Sequence, residues 1–298
     1  MIEHIAVIGA GRIGNAFARI FKKKGYSVEL WDKEEGRVRG QRSLFEVVSG
    51  ADVVFLCVPS WALREVCALI RNALKDGVFV ISTAKGIEKN TLKTPDEIMA
   101  EFLNKKGIGM LGGPMLAEEL DLNHVGVGVV GSVNKEVYKT VEVLFQNTPV
   151  RILYSKDVHG VALGGILKNV YALAFGIADG LEWSGNAKGW LLVASMNEMS
   201  RLAWTLGGRK KTIEGIAGLG DLGTCGFSEY SRNRQAGQDV LEDGIFDEKS
   251  EGVVSAPSLF SIVGRRVKKF EILNALRYII EERKNPRETF QDLLKNIQ

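Results

Sequence analysis

The chain opens with HIAVIGAGRIG (residues 4–14): a short apolar run leads straight into GxGxxG, and Ile13, Phe17, Ile20 and Phe21 then share one helical face before Gly25. On its own GxGxxG is a weak signal. Between a strand and a helix, each glycine acquires a task. Gly9 makes the tight turn, Gly11 lets a pyrophosphate approach the backbone, and Gly14 allows close helix–strand packing. The helix N-terminus then faces the anion with its free N–H groups and positive dipole end.

The next strand, Ser27 to Trp31, ends at Asp32, 18 residues beyond Gly14. A carboxylate there accepts from ribose hydroxyls and repels a 2′-phosphate, which favours NAD over NADP. Lys33, Arg37 and Arg39 follow and can host that phosphate instead, so NADP stays open. Further apolar runs at 52–60, 78–82, 109–112 and 125–130 alternate with helical or loop segments. This alternation predicts an α/β fold with a Rossmann-like, doubly wound, mostly parallel sheet over residues 1–155. Ligands of such sheets bind beyond the carboxyl ends of the strands, which draws notice to Ser60, Lys85 and Pro114.

After Tyr154 the pattern changes to long helical stretches, about 157–181, 187–206 and 229–241, so a second, mainly helical domain is expected over 156–298. In the first stretch Leu163, Ile166, Leu167, Val170, Tyr171 and Leu173 surround Lys168, leaving little polar face. Lys168 is therefore expected to be at least partly buried. Burial disfavours an ammonium and lowers its pKa toward the range useful in proton transfer, while a nearby carboxylate raises it again. A lysine snorkelling its head to water is the other reading.

Composition narrows the function classes. With 298 residues there is room for two domains that each bury a core, and 45% hydrophobic with 25% charged residues is ordinary for a soluble globular chain. A net charge of +3 gives no general nucleic-acid footprint; the basic runs at 22–24, 209–211 and 265–269 read as solvated helix ends. Cys57, Cys67 and Cys225 lack CxxC spacing, which disfavours a disulfide framework or structural zinc and fits a reducing cytoplasm. No signal-peptide pattern precedes the first strand. The apolar run 161–178 contains Lys168 and Asn169, so a buried helix is expected rather than a membrane span. The histidines, His4, His124 and His159, read as structural; neither His124 nor His159 has an evident carboxylate partner. No metal-ligand cluster, HExxH, GxSxG or P-loop is present, which leaves hydride transfer as the simplest chemistry.

One further segment, residues 218–237, gathers glycines, Asp221, hydroxyls and the pair Arg232–Asn233. Glycine turns let N–H groups approach an oxyanion, and Arg232 carries a planar fork of donors suited to phosphate or carboxylate. A surface loop leading into a helix is the competing reading.

Taken together, GAGRIG (9–14), CVPS (57–60), AKGIE (84–88), GPMLAEE (113–119), LGGILKNVYA (163–172), NEMSRL (197–202), GLGDLGTC (218–225), SRNRQAG (231–237) and EGVVSA (251–256) resemble the NAD-dependent glycerol-3-phosphate dehydrogenase family over nearly the whole chain. The resemblance implies NADH-dependent interconversion of dihydroxyacetone phosphate and sn-glycerol 3-phosphate by a homodimer packed through its helical domain. It implies Lys168 as acid–base, with Lys85 and Asp221 in the same polar cluster. Arg232 and Asn233 would hold the substrate phosphate, and Thr224 and Asn169 would line the site. The implied cofactor contacts are Gly9, Gly11, Arg12, Ile13, Gly14, Asp32, Pro59, Lys85, Arg232 and Glu251. The chain departs from the family in a short stretch after Asp32, in Met115–Leu116, and in a GLGDLGTC loop one residue shorter than the bacterial pattern. A reductase of another small anionic carbonyl compound, or a cofactor-binding regulator without turnover, are the alternatives; the intact SRN argues against the first, and the presence of Lys168, Lys85 and Asp221 against the second.

Overall fold

The computed structural model describes residues 2–244, 246 and 250–296. The chain forms two compact units, Met1–Ala84 with Thr94–Ala162, and Lys85–Lys93 with Leu163–Gln298. The change-over thus lies within a helix rather than near Ser155, and a nine-residue excursion joins the second unit. Its reason is local. Ile87 is buried in the second unit's core, its N–H donates to Ser255 Oγ at 3.1 Å, and the Lys85 carbonyl accepts from Asn169 Nδ2 at 2.9 Å.

In the first unit, strands β1 (His4–Ile8), β2 (Ser27–Trp31), β3 (Val53–Leu56), β4 (Phe79–Ser82), β5 (Ile108–Gly112), β6 (Gly126–Gly131) and β7 (Val150–Ser155) form one sheet in the order β2-β1-β3-β4-β5-β6-β7. Among the described residues, the β5–β6 pair is antiparallel and the other pairs are parallel. The helices are α1 (Arg12–Lys23), α2 (Leu44–Ser49), α3 (Leu63–Ile70), α4 (Pro95–Phe102), α5 (Ala117–Asp121) and α6 (Lys135–Phe145). Because β2 lies on one side of β1 and β3 on the other, the chain reverses its winding between β1 and β3. The crevice beyond their carboxyl ends is where such sheets take ligands. Phe17, Phe21, Phe55 and Phe145 meet on one face of the sheet with ring centroids 4.9 to 6.5 Å apart. Their close packing fixes α1, and with it the glycine turn, on the sheet. The edge strand β7 lacks a plain signal in the sequence: its buried positions alternate with exposed Arg151 and Leu153, as expected of an edge with one wet face.

The second unit is helical: α7 (Val158–Gly180), α8 (Gly185–Thr205), α9 (Lys210–Ile213), α10 (Asp221–Phe227), α11 (Arg232–Asp243), α12 (Glu251–Val263), α13 (Glu271–Ile280) and α14 (Pro286–Lys295), with α7 beginning in the first unit. By length and composition α7 is apolar enough to cross a membrane, yet its apolar window is wholly buried inside the protein. A helix apolar on all sides needs cover on all sides, and here protein supplies it. The expected helix at 229–241 starts later, because Ser231 accepts from the Arg234 N–H and caps α11 at that point.

Glu198 on α8 is buried and joins three helices. It accepts the Ile272 and Leu273 N–H groups at the start of α13, at 2.9 and 3.1 Å, and the Tyr171 hydroxyl of α7 at 2.7 Å. Burial pushes its carboxyl above the ordinary range despite these donors. Replacing Glu198 by alanine orphans two backbone donors, and the urea midpoint is expected to fall by the equivalent of about 1–3 kcal/mol. An unchanged midpoint would remove the cap from the stability of this unit.

Candidate active site

In the first unit the turn after β1 is built as the glycine spacing requires. Gly9 has φ +104°, and a Cβ there would stand 2.5 Å from the Cys57 carbonyl oxygen; a Cβ on Gly14 would overlap the Gly9 carbonyl. A Cβ on Gly11 would meet nothing within 4 Å, so the backbone at this position faces open space. Gly11 caps α1 without a side-chain acceptor, which leaves the first N–H groups of the helix for an external anion. Asn15 holds the turn from behind, donating to the Ala10 and Gly11 carbonyls at 2.5 and 3.1 Å. These features fit a pyrophosphate.

Asp32 lies at the end of β2 with its carboxylate turned toward this loop. It accepts from the Ala10 N–H at 2.7 Å and the Glu34 N–H at 2.9 Å, with Arg37 Nη1 at 3.5 Å. Asp32 therefore braces the glycine turn itself, and Arg37 stands beside it, also paired with Glu34 at 2.6 Å. Arg12 is exposed on the first turn of α1 and paired with Glu118; Ile13 is half-buried; Pro59 is exposed and caps the short turn Ser60–Ala62. His159 does find a carboxylate: its Nδ1 is 3.0 Å from Asp96 Oδ2, on α4, 63 residues away in sequence. The tertiary fold makes that pair between two helices, and no local spacing announces it.

In the second unit a buried cluster forms around Asp221. The wide π-turn Ile216–Gly220 runs straight into α10 and places Asp221 at its first position. Asp221 Oδ2 accepts from Lys85 Nζ at 2.6 Å, and Oδ1 lies 3.1 Å from Lys168 Nζ. Lys168 Nζ also donates to Cys225 Sγ at 2.7 Å. Cys225 follows Asp221 by four residues on one helical face, and its Sγ is 3.6 Å from Asp221 Oδ1. Gly165, one turn before Lys168, makes room for Lys85: a Cβ there would stand 2.9 Å from Lys85 Cγ.

Burial works against every charge in this cluster. For Lys168 it is outweighed by Asp221 and Cys225, which hold the ammonium above the ordinary lysine range. Of the two effects foreseen at Lys168, the carboxylate wins. Lys85 moves the other way: burial, with Lys168 as a second cation, lowers it in spite of Asp221. Asp221 is held below the ordinary carboxylate range by the two ammoniums although burial opposes this, and burial raises the Cys225 thiol so that it stays neutral. Asp221 thus touches both ammoniums, Lys168 alone has Cys225 as a further acceptor, and the two lysines shift in opposite directions.

Asn169, the next residue on α7, extends the network. Its Oδ1 accepts from Asn233 Nδ2 at 2.8 Å, and Asn233 Oδ1 accepts from Ser250 Oγ at 2.9 Å and the Gly252 N–H at 2.8 Å. A Cβ on Gly252 would overlap the Asn169 carbonyl, so α12 can begin here only with glycine at this position. Asn233 therefore ties α7, α11 and the start of α12 together, with one amide hydrogen left over. Arg232 is exposed beside it and makes no ion pair among the described residues. Thr224 turns its hydroxyl back to the Gly220 carbonyl at 3.1 Å, and Glu251 is the first residue of α12. Sequence reasoning missed Cys225, Ser250 and Asn15. The signals were present as the i, i+4 spacing from Asp221 and the N-cap serine before Glu251. Among the described residues no His, Cys, Asp and Glu group is arranged to hold a metal ion.

A glycine-turned, doubly wound sheet on one unit and a buried lysine–carboxylate cluster on a helical second unit define a dinucleotide-dependent oxidoreductase class. Residues 157–291 match the C-terminal and residues 35–138 the N-terminal region of the NAD-dependent glycerol-3-phosphate dehydrogenases; residues 4–52 also match the NAD-binding domain of 3-hydroxyacyl-CoA dehydrogenase. The glycerol-3-phosphate dehydrogenase [NAD(P)+] of Fusobacterium nucleatum is 33% identical, with 97% of this chain and 96% of the relative covered. That of Chlorobium limicola is also 33% identical, covering 98% and 97%. The crystal structure of glycerol-3-phosphate dehydrogenase from Coxiella burnetii superposes with a TM-score of 0.88 at 26% identity, covering 99% of both chains. The chain belongs to the NAD-dependent glycerol-3-phosphate dehydrogenase family.

Proposed function

We propose that this protein interconverts dihydroxyacetone phosphate and sn-glycerol 3-phosphate with NAD(H), and that it does so in the cytoplasm as a homodimer. The observation that carries the reading is the sharing of buried Asp221 by Lys168 and Lys85, in a chain of this family. Three cysteines buried as free thiols fit a reducing compartment. The pairing of two copies rests on the family resemblance, and light scattering on the eluting protein checks it.

Gly9, Gly11 and Gly14 with the start of α1 would hold the pyrophosphate, and Arg12, Ile13, Pro59, Lys85, Arg232 and Glu251 are the further contacts expected for the cofactor. A bound nicotinamide supplies or accepts the hydride. Lys168, held protonated by Asp221, stabilises the negative charge that grows on the carbonyl oxygen and then delivers a proton to it. Lys85 keeps Asp221 ionised and adds a second positive charge to the cluster. Arg232 anchors the substrate phosphate, using binding energy remote from the reacting carbon to fix orientation; Asn233 offers its remaining amide hydrogen, and Asn169 and Thr224 line the site.

The direct test is oxidation of NADH and NADPH with dihydroxyacetone phosphate, run beside non-phosphorylated carbonyl compounds. Turnover with a non-phosphorylated compound and none with dihydroxyacetone phosphate would favour the other reductase reading. Arg232→Ala is expected to raise KM for dihydroxyacetone phosphate by about tenfold to a hundredfold and leave dihydroxyacetone unaffected, the loss of one charge-assisted anion contact. Equal weakening of both substrates would end the anchoring role.

Asp32 and Arg37 bear on cofactor choice. A carboxylate that braces the glycine turn with an arginine beside it accommodates either ribose, because Arg37 can leave the exposed Glu34 for a 2′-phosphate. Arg37→Ala should therefore raise KM for NADPH several-fold and leave that for NADH nearly unchanged. A parallel rise for both cofactors would place Arg37 in the fold of the loop instead.

A further inference from the structure

Two basic runs that are far apart in sequence and have no part in the proposed chemistry, 209–211 and 265–269, meet in the second unit. Lys210 from the first run and Arg266 and Lys269 from the second line one cleft together with Arg201 of α8. The cleft has a volume of about 280 Å³, and among the described residues no acidic side chain is in its lining. None of these four cations forms an ion pair among the described residues. Two of the guanidiniums are held in place from behind: Arg201 lies 5.0 Å above the Phe270 ring and donates to the Lys269 carbonyl at 3.3 Å, and Arg266 Nε donates to the Val263 carbonyl at 3.4 Å. The remaining wall includes Trp204, an indole 65% exposed. Gathering four like charges around one concavity costs repulsion that a bound anion would relieve, and an uncovered indole beside them offers a stacking face.

We propose that this cleft is a binding site for a small phosphate-bearing ligand with a flat aromatic ring, of the mononucleotide class. Arg201, Arg266, Lys210 and Lys269 take the phosphates, with the arginines supplying forked donors. Trp204 stacks on the ring. A cleft of this size takes a mononucleotide's phosphates and ring, and none of its lining residues belongs to the cluster around Lys168.

The experiment is equilibrium dialysis of the full-length protein with ATP, inorganic tripolyphosphate and adenosine, each at saturating NADH so that the glycine turn is occupied. ATP is expected to bind with one site per chain, tripolyphosphate at least fivefold more weakly, and adenosine not measurably. Arg266→Gln with Lys269→Gln should weaken ATP at least tenfold, while NADH binding and turnover stay at wild-type values and show that the variant is folded. Trp204→Ala should weaken ATP to the level of tripolyphosphate and leave tripolyphosphate unchanged. The proposal is overturned by absence of ATP binding at millimolar concentration, by wild-type ATP binding in the double variant, or by tripolyphosphate binding as tightly as ATP.

Discussion

Replacing Lys168 by alanine is expected to lower kcat by about a hundredfold to ten-thousandfold while NADH binds as before. The expectation follows from where the ammonium sits. Lys168 Nζ is buried, 3.1 Å from Asp221 Oδ1, and held above the ordinary lysine range by that carboxylate and Cys225. A group so placed is protonated throughout the neutral range, ready to donate when dihydroxyacetone phosphate is reduced. Oxidation of glycerol 3-phosphate needs the same lysine without its proton, so that direction should accelerate as the medium becomes alkaline, with a limb that Lys168→Ala abolishes. Single-turnover rates in both directions, measured beside NADH affinity, check this. Wild-type turnover in the variant would take Lys168 out of the proton transfer.

Asp221→Ala should be the most destabilising single change in the helical unit. It leaves Lys85 and Lys168 facing each other without a counter-charge, and removing one partner of a buried ion pair costs about 3–5 kcal/mol. The sign with pH follows from the directions of the shifts. Asp221 has its folded-state pKa below the reference 3.8, so its contribution is full above that value and is lost as the pH falls through the folded pKa. Lys168 is raised above 10.5, so its contribution is full below that value and is lost as the pH rises through the folded pKa. Wild type should therefore hold this increment across the whole neutral range, and Asp221→Ala should lack it there. Denaturant midpoints for wild type, Asp221→Ala and Asp221→Asn, taken at neutral and acid pH, test both the size and the sign. A difference that did not shrink on acidification would exclude the ion pair as its source.

Much of the fold was legible because its signals are local. Apolar runs of strand length and a GxGxxG between a strand and a helix each act within a few residues; the serine that caps α11 is as local, yet the sequence reading passes over it and starts that helix at 229. At least partial burial of Lys168 was legible for the same reason, since its neighbours on α7 leave little polar face, while snorkelling to water was excluded only by the folded chain. Long-range pairs left no such trace. Asp221 reaches Lys85 across 136 residues, His159 reaches Asp96 across 63, and Glu198 caps a helix that begins more than 70 residues later. The Lys85–Lys93 excursion reads as an ordinary connection after β4 until Ile87 is seen in the core of the other unit.

Sequence alone determined the layer of parallel strands, the glycine turn, the helical second half and the family, because spacing and residue type are enough to specify strand and helix periods, a tight turn and a recurring motif set. Tertiary structure decided which charges meet. Asp221 reaches both Lys85 and Lys168, and Lys168 alone also meets Cys225; such distances, and the burial of the cluster, exist only after the chain has packed. The same holds for Asp32, which spacing offers to a ribose and which the folded loop turns onto the Ala10 N–H.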